Sequence, residues 1–283
     1  MPDAVENSTE ELTPKKSSAQ IFEQEVEEGL GALEMPLSRL FISAVAAGME
    51  LALSLLVIGL VYSLSSGRIN TLAFELIAAA ASSFGFIAVV LGRSELFTEQ
   101  TTLAILPFLA GKCSFRQVVR LWGVVYIGNL IGAAFCAYLL VIAGSGLREI
   151  EPKSFHEIAT VIVDNSAPIM LLSGIIAGWL MGLVSWVVAA SRDTISQIVI
   201  IALFTGVIGL GHLHHSILGT AEVLGGIFSQ SGTTVGEFGH FLLWSTIGNA
   251  IGGAGFVALL KFGHARPEGT CIAESETKSR STE

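Results

Sequence analysis

The sequence predicts an all-α integral membrane protein of six transmembrane helices, arranged as an inverted 3+3 repeat whose second and fifth helices are broken. Three observations lead there. First, of 283 residues 52% are apolar and 14% charged, with a mean hydropathy of +0.69, whereas about a quarter of an ordinary soluble domain is charged. Second, the charges are segregated: 19 of 39 lie in the first 39 and last 18 positions, leaving 20 over the 226 residues from Leu40 to Ala265. Third, three short motifs recur in the same order along the chain.

The ends belong in water. The net charge of −9, six units of it in residues 1–39, argues against nucleic acid, which requires clustered Lys and Arg. Residues 1–37 form an acidic cytoplasmic segment in which 1–17 are expected to be disordered. Without the basic-then-apolar pattern of a cleaved signal, the first span is expected to serve as its own insertion signal. SAQIFEQEVEEGLGALE, from Ser18 to Glu34, places Ile21, Leu30 and Leu33 on one face and acids on the other, which predicts a short amphipathic helix against the membrane or a neighbouring subunit. Residues 263–283 read as a disordered cytoplasmic tail. Cys113, Cys136 and Cys271 show no paired or zinc spacing; neither a disulfide, a metal nor a cofactor is expected.

A spanning helix needs about 20 apolar residues. Leu40–Gly67 carries only Glu50, while Leu121–Leu147, Asn165–Ser191 and Phe238–Leu260 carry no charge. The other two regions are interrupted. Ile69–Gly92 contains only Glu75 and runs into RSELFTEQTT, then LAILPFLAG; nine residues reach roughly 14 Å at 1.5 Å each, too short for a core about 30 Å thick. Thr194–Leu210 likewise stops at GHLHHS before ILGTAEVLGGIF. With the N-terminus inside, eleven Lys and Arg fall on the cytoplasmic side and three, Arg68, Arg148 and Lys153, outside, which predicts cytoplasmic termini.

The repeat pairs SAVAAG (43–48) with SGIIAG (173–178), Leu91-Gly92 with Leu210-Gly211, and GNLIGA (128–133) with GNAIGG (248–253). Each half holds a clean span, a broken span and a Gly-Asn span, and three spans per half invert the second half. Unwound backbone at membrane depth is tolerated only where it is buried in protein or lines a cavity, so the breaks mark a pathway. In the first, Thr98 offers a hydroxyl, and Leu96 and Phe97 are expected to narrow and dry the path. In the second, His212, His214 and His215 supply imidazoles able to donate to an anion or pass a proton. A metal site is the alternative for this cluster, although no acid or Cys stands beside it in the sequence. Asn129 and Asn249 suit close packing with an amide bonded to freed backbone; contact with substrate is the alternative. Arg93, Glu95 and Glu99 are costly in a membrane unless paired, and a local pair from Arg93 to Glu95 or Glu99, stapling the loop, is favoured over substrate binding.

ELFTEQTT, GNLIGA, GNAIGG and GHLHHS together resemble the formate/nitrite transporter family over residues 38–262, the channel domain. RLWGVV and the G-x-x-E of GTAE are nearest to its YfdC-like branch. The resemblance implies a homopentamer of aquaporin-like protomers, each a pore for a small monovalent weak-acid anion such as formate or nitrite, in some cases moved with a proton, in a bacterial inner membrane. It also implies that His215 is the central pore histidine, that Leu96, Thr98 and Met181 form the cytoplasmic constriction, and that Phe86 and Ile208 form the outer one. Three positions depart from the family pattern. Gly178 stands in place of a pore Asn, Ile162 or a neighbour in place of an entrance Lys, and His214 in place of a Glu. These losses favour, as the alternative, a neutral-solute or ammonium-type pore; a membrane-embedded metalloenzyme using the three histidines is a further one.

Overall fold

The computed structural model describes residues 15–65, 67–147 and 149–265. The expectations for residues 1–14 and for the tail beyond 265, together with Arg148, Arg266, Cys271, Lys278 and Arg280, lie outside these residues.

The described residues are helical nearly throughout. An opening helix, α1 (Ser18–Glu34), precedes the long α2 (Leu37–Ser65) and α3 (Thr71–Gly92). The chain then breaks into the short α4 (Phe97–Leu103) and α5 (Ile105–Leu109) before the 32-residue α6 (Phe115–Gly146). After α7 (Pro152–Val163) the order repeats: a long α8 (Ala167–Ala190), α9 (Thr194–Leu210) broken from α10 (Ser216–Phe228), and a last helix from α11 (Val235–Ala250) through a π-helical stretch, Ile251–Ala258, to α12 (Leu259–Ala265). Five described helices, α2, α3, α6, α8 and the last, are long and apolar enough to cross a membrane, and α9 and α10 are shorter apolar helices. The protein is a multi-pass membrane protein. Its exposed large side chains agree: Ile42, Leu72, Phe135, Ile142, Leu203 and Leu260 face outward on these helices, as lipid-facing positions do.

Glycines set how closely the long helices meet. A Cβ on Gly48 or Gly132 would run into the backbone carbonyls of Asn129 or Val45, locking α2 to α6. Gly178 and Gly252 do the same for α8 and the last helix, at the carbonyls of Asn249 and Ile175. Small residues at such crossings are what let helices associate in lipid, where no hydrophobic force separates helix from solvent.

Two elements correct the sequence reading. The amphipathic helix α1 runs from Ser18 to Glu34 as expected, but it docks on the protein's own α5, α8 and α12. Its buried face takes in Phe22, Val26 and Gly29 beside the expected Ile21 and Leu33, with Leu30 partly buried at its edge. Gly29 is there because a Cβ would strike the Leu103 carbonyl, and Phe22 meets Phe262 of α12 at 5.9 Å between ring centres. The second element is α7, which the sequence reading left in the loop between spans. Pro152 at its first turn and buried Phe155, Ile158 and Ile162 form an amphipathic helix too short to cross, which packs on α10.

Polar contacts finish the docking of α1. Lys16 Nζ donates to the Ala189 carbonyl at 2.6 Å, Ser185 Oγ donates to Glu25 Oε2 at 3.0 Å, and Arg93 pairs with Glu28 at 3.0 Å. Glu25 is 1% exposed. Burial pushes its carboxyl up to about 8, the neighbouring Glu28 charge adds to this, and the Ser185 hydroxyl opposes it.

The docked helix therefore binds a proton at Glu25 that an undocked one, titrating near 4.5, releases earlier. Docking is strongest below pH 4.5 and weakens as pH rises from there through about 8. A nitroxide on the exposed face at Glu27→Cys should become more mobile across that window, and Glu25→Gln should abolish the dependence; mobility independent of pH in the parent protein would refute the role of Glu25. For the helix crossings, Gly252→Ala should destabilise the detergent-solubilised protein by about 1–3 kcal/mol in thermal unfolding. Gly123→Ala, where no atom lies within 4 Å of the added Cβ, should be silent.

Candidate functional site

Each break is tied by one asparagine. At the first, Asn129 Oδ1 accepts from the Phe97 N–H at 2.8 Å, and Asn129 Nδ2 donates to the carbonyls of Ala44 at 2.7 Å and Glu95 at 2.9 Å. At the second, Asn249 Oδ1 accepts from the Ser216 N–H at 2.8 Å, and Nδ2 donates to Gly174 O at 2.8 Å and His214 O at 2.9 Å. One side chain thus joins a long helix, the unwound strand before the break and the first turn after it. A serine adds a fourth tie in each half: Ser43 Oγ accepts from the Glu95 N–H at 3.1 Å, and Ser173 Oγ from the His214 N–H at 3.0 Å. Sequence reasoning missed both serines, although they open the two repeat motifs SAVAAG and SGIIAG.

The same correspondence sets Leu96 against His215, since each caps the half-helix that follows its break. Leu96 makes no capping bond. His215 Nδ1 accepts from the Leu218 N–H at 3.2 Å, and its Nε2 lies 2.8 Å from Thr98 Oγ1. With the Nδ1 lone pair taken by a backbone donor, the ring proton sits on Nε2 and points at Thr98. The Phe86 ring meets the imidazole edge-on, 4.9 Å between centres at 90°. His215, Thr98 and Phe86, from the second break, the first break and α3, therefore converge on one point. Beside it, Ser216 Oγ is buried without a hydrogen-bond partner. Leu96, Met181 and Ile208 are buried in the same apolar core.

Other expected site residues lie elsewhere. Phe97 turns its ring onto Tyr126 and Trp122 of α6, at 4.8 and 6.3 Å. His214 is wholly engaged: Nε2 donates to the Ile162 carbonyl at 3.0 Å, and Nδ1 accepts from Ser173 Oγ at 2.8 Å, so it ties α7 and α8 to the second break. Gly178 faces the Asn249 backbone, where a Cβ would strike the Asn249 carbonyl. The expected staple from Arg93 to Glu95 or Glu99 is also corrected. Arg93, which ends α3 in the left-handed region at φ 59°, reaches across to Glu28 of α1. Glu95 instead accepts from Gln100 Nε2 at 2.5 Å. Local pairing fails because Arg93 ends one helix pointing outward while Glu95 lies in the strand beyond. His212 leaves the imidazole cluster for Glu75, 3.4 Å away, and among the described residues no three His, Cys, Asp or Glu side chains form a metal-sized group.

A cavity of about 550 Å³ opens at the first break between α1, α3 and α4, walled by Glu28, Glu34, Glu95 and Glu99 with Arg39 and Arg93. A second, of about 800 Å³, lies beside α7 between Tyr62, Phe74, His156, Glu157 and Asp164. The two lie toward opposite ends of α2, whose 29 residues run from Leu37 beside α1 to Ser65.

Each asparagine bond holds a backbone group that lipid would leave unsatisfied, at about 1–3 kcal/mol apiece. Asn129→Leu and Asn249→Leu should each destabilise the protein by several kcal/mol, read as a drop in folded yield and thermal stability in detergent. Ser43→Ala and Ser173→Ala should cost less, and equal, negligible effects of all four would mean that the breaks are held some other way.

The family model described as formate/nitrite transporter matches residues 19–263. The inner membrane protein YfdC of Escherichia coli (strain K12) is 30% identical over 274 residues, covering 96% of this chain and 86% of that protein. The nitrite transporter NirC of Salmonella typhimurium (strain LT2) is 27% identical over 220 residues, 77% of this chain and 80% of its own. Among solved structures, an FNT family ion channel superposes with a TM-score of 0.76 at 23% identity, over 88% of this chain and 98% of that one. A pentameric formate channel with formate bound reaches 0.71 at 21%, over 81% and 97%. Since the family model matches from within α1 into α12, most of the chain, the chain belongs to the formate/nitrite transporter family.

Proposed function

We propose that this protein is a channel for small monovalent weak-acid anions, formate or nitrite or one of similar size. It works as a homopentamer in a bacterial inner membrane with both termini in the cytoplasm, each protomer built as an inverted 3+3 repeat around its own pore. The observation that carries the reading is the His215–Thr98 pair, a polar point set between two helix breaks in an otherwise apolar core. Relatives described as a nitrite transporter, an inner membrane protein and a pentameric formate channel support the substrate class, location and assembly. The eleven-to-three division of Lys and Arg supports the orientation.

A bare anion inside a dry constriction costs several kcal/mol or more. At His215 the Nε2 proton leaves Thr98 and turns to the passing oxygen, while Thr98 and the unpartnered Ser216 hydroxyl stand ready to do the same. Nδ1 remains bound to the Leu218 N–H, so the histidine contributes a hydrogen bond rather than a proton. Giving up the Nε2 proton would leave an imidazolate. Leu96, Met181, Phe86 and Ile208 keep this stretch dry on either side.

The acid-lined cavities favour a second reading, an ammonium-type or neutral-solute pore, because carboxylates at a mouth repel anions and attract cations. Ion-replacement currents separate the two: an ammonium-type pore conducts when the cation is changed and is blind to the anion, and a neutral solute carries no current.

In proteoliposomes followed by stopped-flow light scattering, His215→Asn should slow formate or nitrite flux by about tenfold or more, as expected when a donor used in transit is displaced. Unchanged flux and pH dependence would overturn the role of His215. Anion flux absent from the parent protein would overturn the channel reading itself.

A further inference from the structure

One buried titratable side chain takes no part in the site described above. Glu222 lies on α10, 8% exposed, and its carboxyl makes neither a hydrogen bond nor an ion pair with any described residue. Thr220 Oγ1, on the same helix, donates to the Ser216 carbonyl at 2.7 Å. Seven residues beyond His215, two helical turns, bring Glu222 back to within about 20° of the side of α10 that residue 215 occupies, about 10 Å further along the axis. α10 packs on α7 and α2, whose Glu157 and Tyr62 line the cavity of about 800 Å³ beside α7. Along α10, Glu222 therefore lies between His215 and the pair Gly225 and Gly226, which face Phe155 and Ala159 of α7, the helix that walls this cavity.

We propose that Glu222 is the proton donor and acceptor for the permeating weak acid, on the side of His215 away from α1. This rests on the weak-acid reading above. A carboxylate without a partner in a membrane interior is costly, so the resting side chain carries its proton. An anion arriving from the distal cavity takes that proton from the Glu222 carboxyl oxygen onto its own oxygen. The neutral acid crosses the constriction past His215, and a proton from water in the cavity returns to Glu222. Only O–H bonds form and break, and one proton travels with each anion.

The titratable groups on the elements around α10 leave Glu222 as the candidate. On α7, Lys153 is held by Glu157 at 2.9 Å, and His156 lies beside the cavity. On α11, Glu237 closes a capping box with Thr234, and His240 is exposed. On α6, Tyr126 bonds Thr246 at 2.7 Å, while Arg116 and Arg120 sit in its first two turns and Cys136 and Tyr138 further along. On α2, Arg39 and Glu50 stand toward the α1 end, the Glu50 carboxylate beside Gly92, and Tyr62 stands at the distal cavity; Glu99 on α4 lines the cavity beside α1.

The test loads purified protein into vesicles containing a pH-sensitive dye and imposes an inward formate gradient, with and without valinomycin and potassium to clamp the potential. The parent protein is expected to move protons with formate and to ignore the clamp. Glu222→Gln should lower proton-coupled uptake by about tenfold to a hundredfold and make the remaining flux sensitive to the clamp, while Glu222→Asp should restore coupling. Size-exclusion profiles of both variants establish that they fold and assemble. A correctly assembled Glu222→Gln with the parental rate and proton stoichiometry would overturn the role of Glu222 and leave the channel reading intact. A parent protein that passes no formate or nitrite would overturn that reading instead.

Discussion

A helix interrupted inside a membrane exposes backbone N–H and C=O groups that hydrocarbon cannot satisfy, and the rest of this structure follows from how that is met. Each break frees an amide at the start of a half-helix and a carbonyl just before it. Asn129 and Asn249 answer both with one side chain, accepting from the first and donating to the second, while a further donated bond fixes the amide to the neighbouring long helix. A short amide accepts at its oxygen and donates twice from its nitrogen. A carboxylate lacks the donor and a hydroxyl is too short to reach three partners. Because the two clamps use equivalent atoms, the breaks share a backbone template, and what distinguishes them is the residue placed on it. Leucine stands in one and histidine in the other.

The clamps in turn constrain the helix crossings. Asn129 reaches Ala44 only if α6 lies close to α2, and Asn249 reaches Gly174 only if the last helix lies close to α8. Gly48 and Gly178 meet the carbonyls of those same asparagines. A side chain at either glycine would push the long helices apart and lengthen the very bonds that close the breaks. The glycine at residue 178, where the resemblance leads to an asparagine, thus answers to packing.

The parts of this architecture legible in the sequence were those written as long periodic signals. The clean spans, the two interruptions and the three paired motifs are each several residues long, and α1 was visible from its alternation of acids with apolar residues. What escaped depended on a direction in space that no local pattern encodes. Arg93 adopts the left-handed conformation at the end of α3 and so turns away from Glu95 to meet a residue 65 positions earlier. Ser43 and Ser173 sit in motifs already matched, but a serine in a transmembrane helix usually bonds its own preceding turn, so its reach to the break was not readable. His214 and His215 are neighbours with opposite fates because an extended residue pair projects to opposite sides. One is spent on Ser173 and Ile162 and the other faces Thr98. In α7 twelve residues lie below the length that marks a span, and its partner α10 is visible only in three dimensions.

The distribution of charge completes the logic. At His215 the protein presents a donor without a formal charge, held in place by the Leu218 N–H and the edge of Phe86. Charged side chains line the two cavities: Glu28, Glu95 and Glu99 with Arg93 in one, Glu157 and Asp164 with Lys153 in the other. Mouths of this sign lower the local concentration of a bare anion while raising that of protons, by the same Boltzmann factor. The concentration of the neutral acid is unchanged by either, since it depends on their product. A pore flanked by carboxylates and centred on a neutral hydrogen-bond donor therefore loses little by repelling anions if what crosses its centre is the protonated acid. On the proposal made for Glu222, its carboxyl on α10 is where anion and proton are brought together.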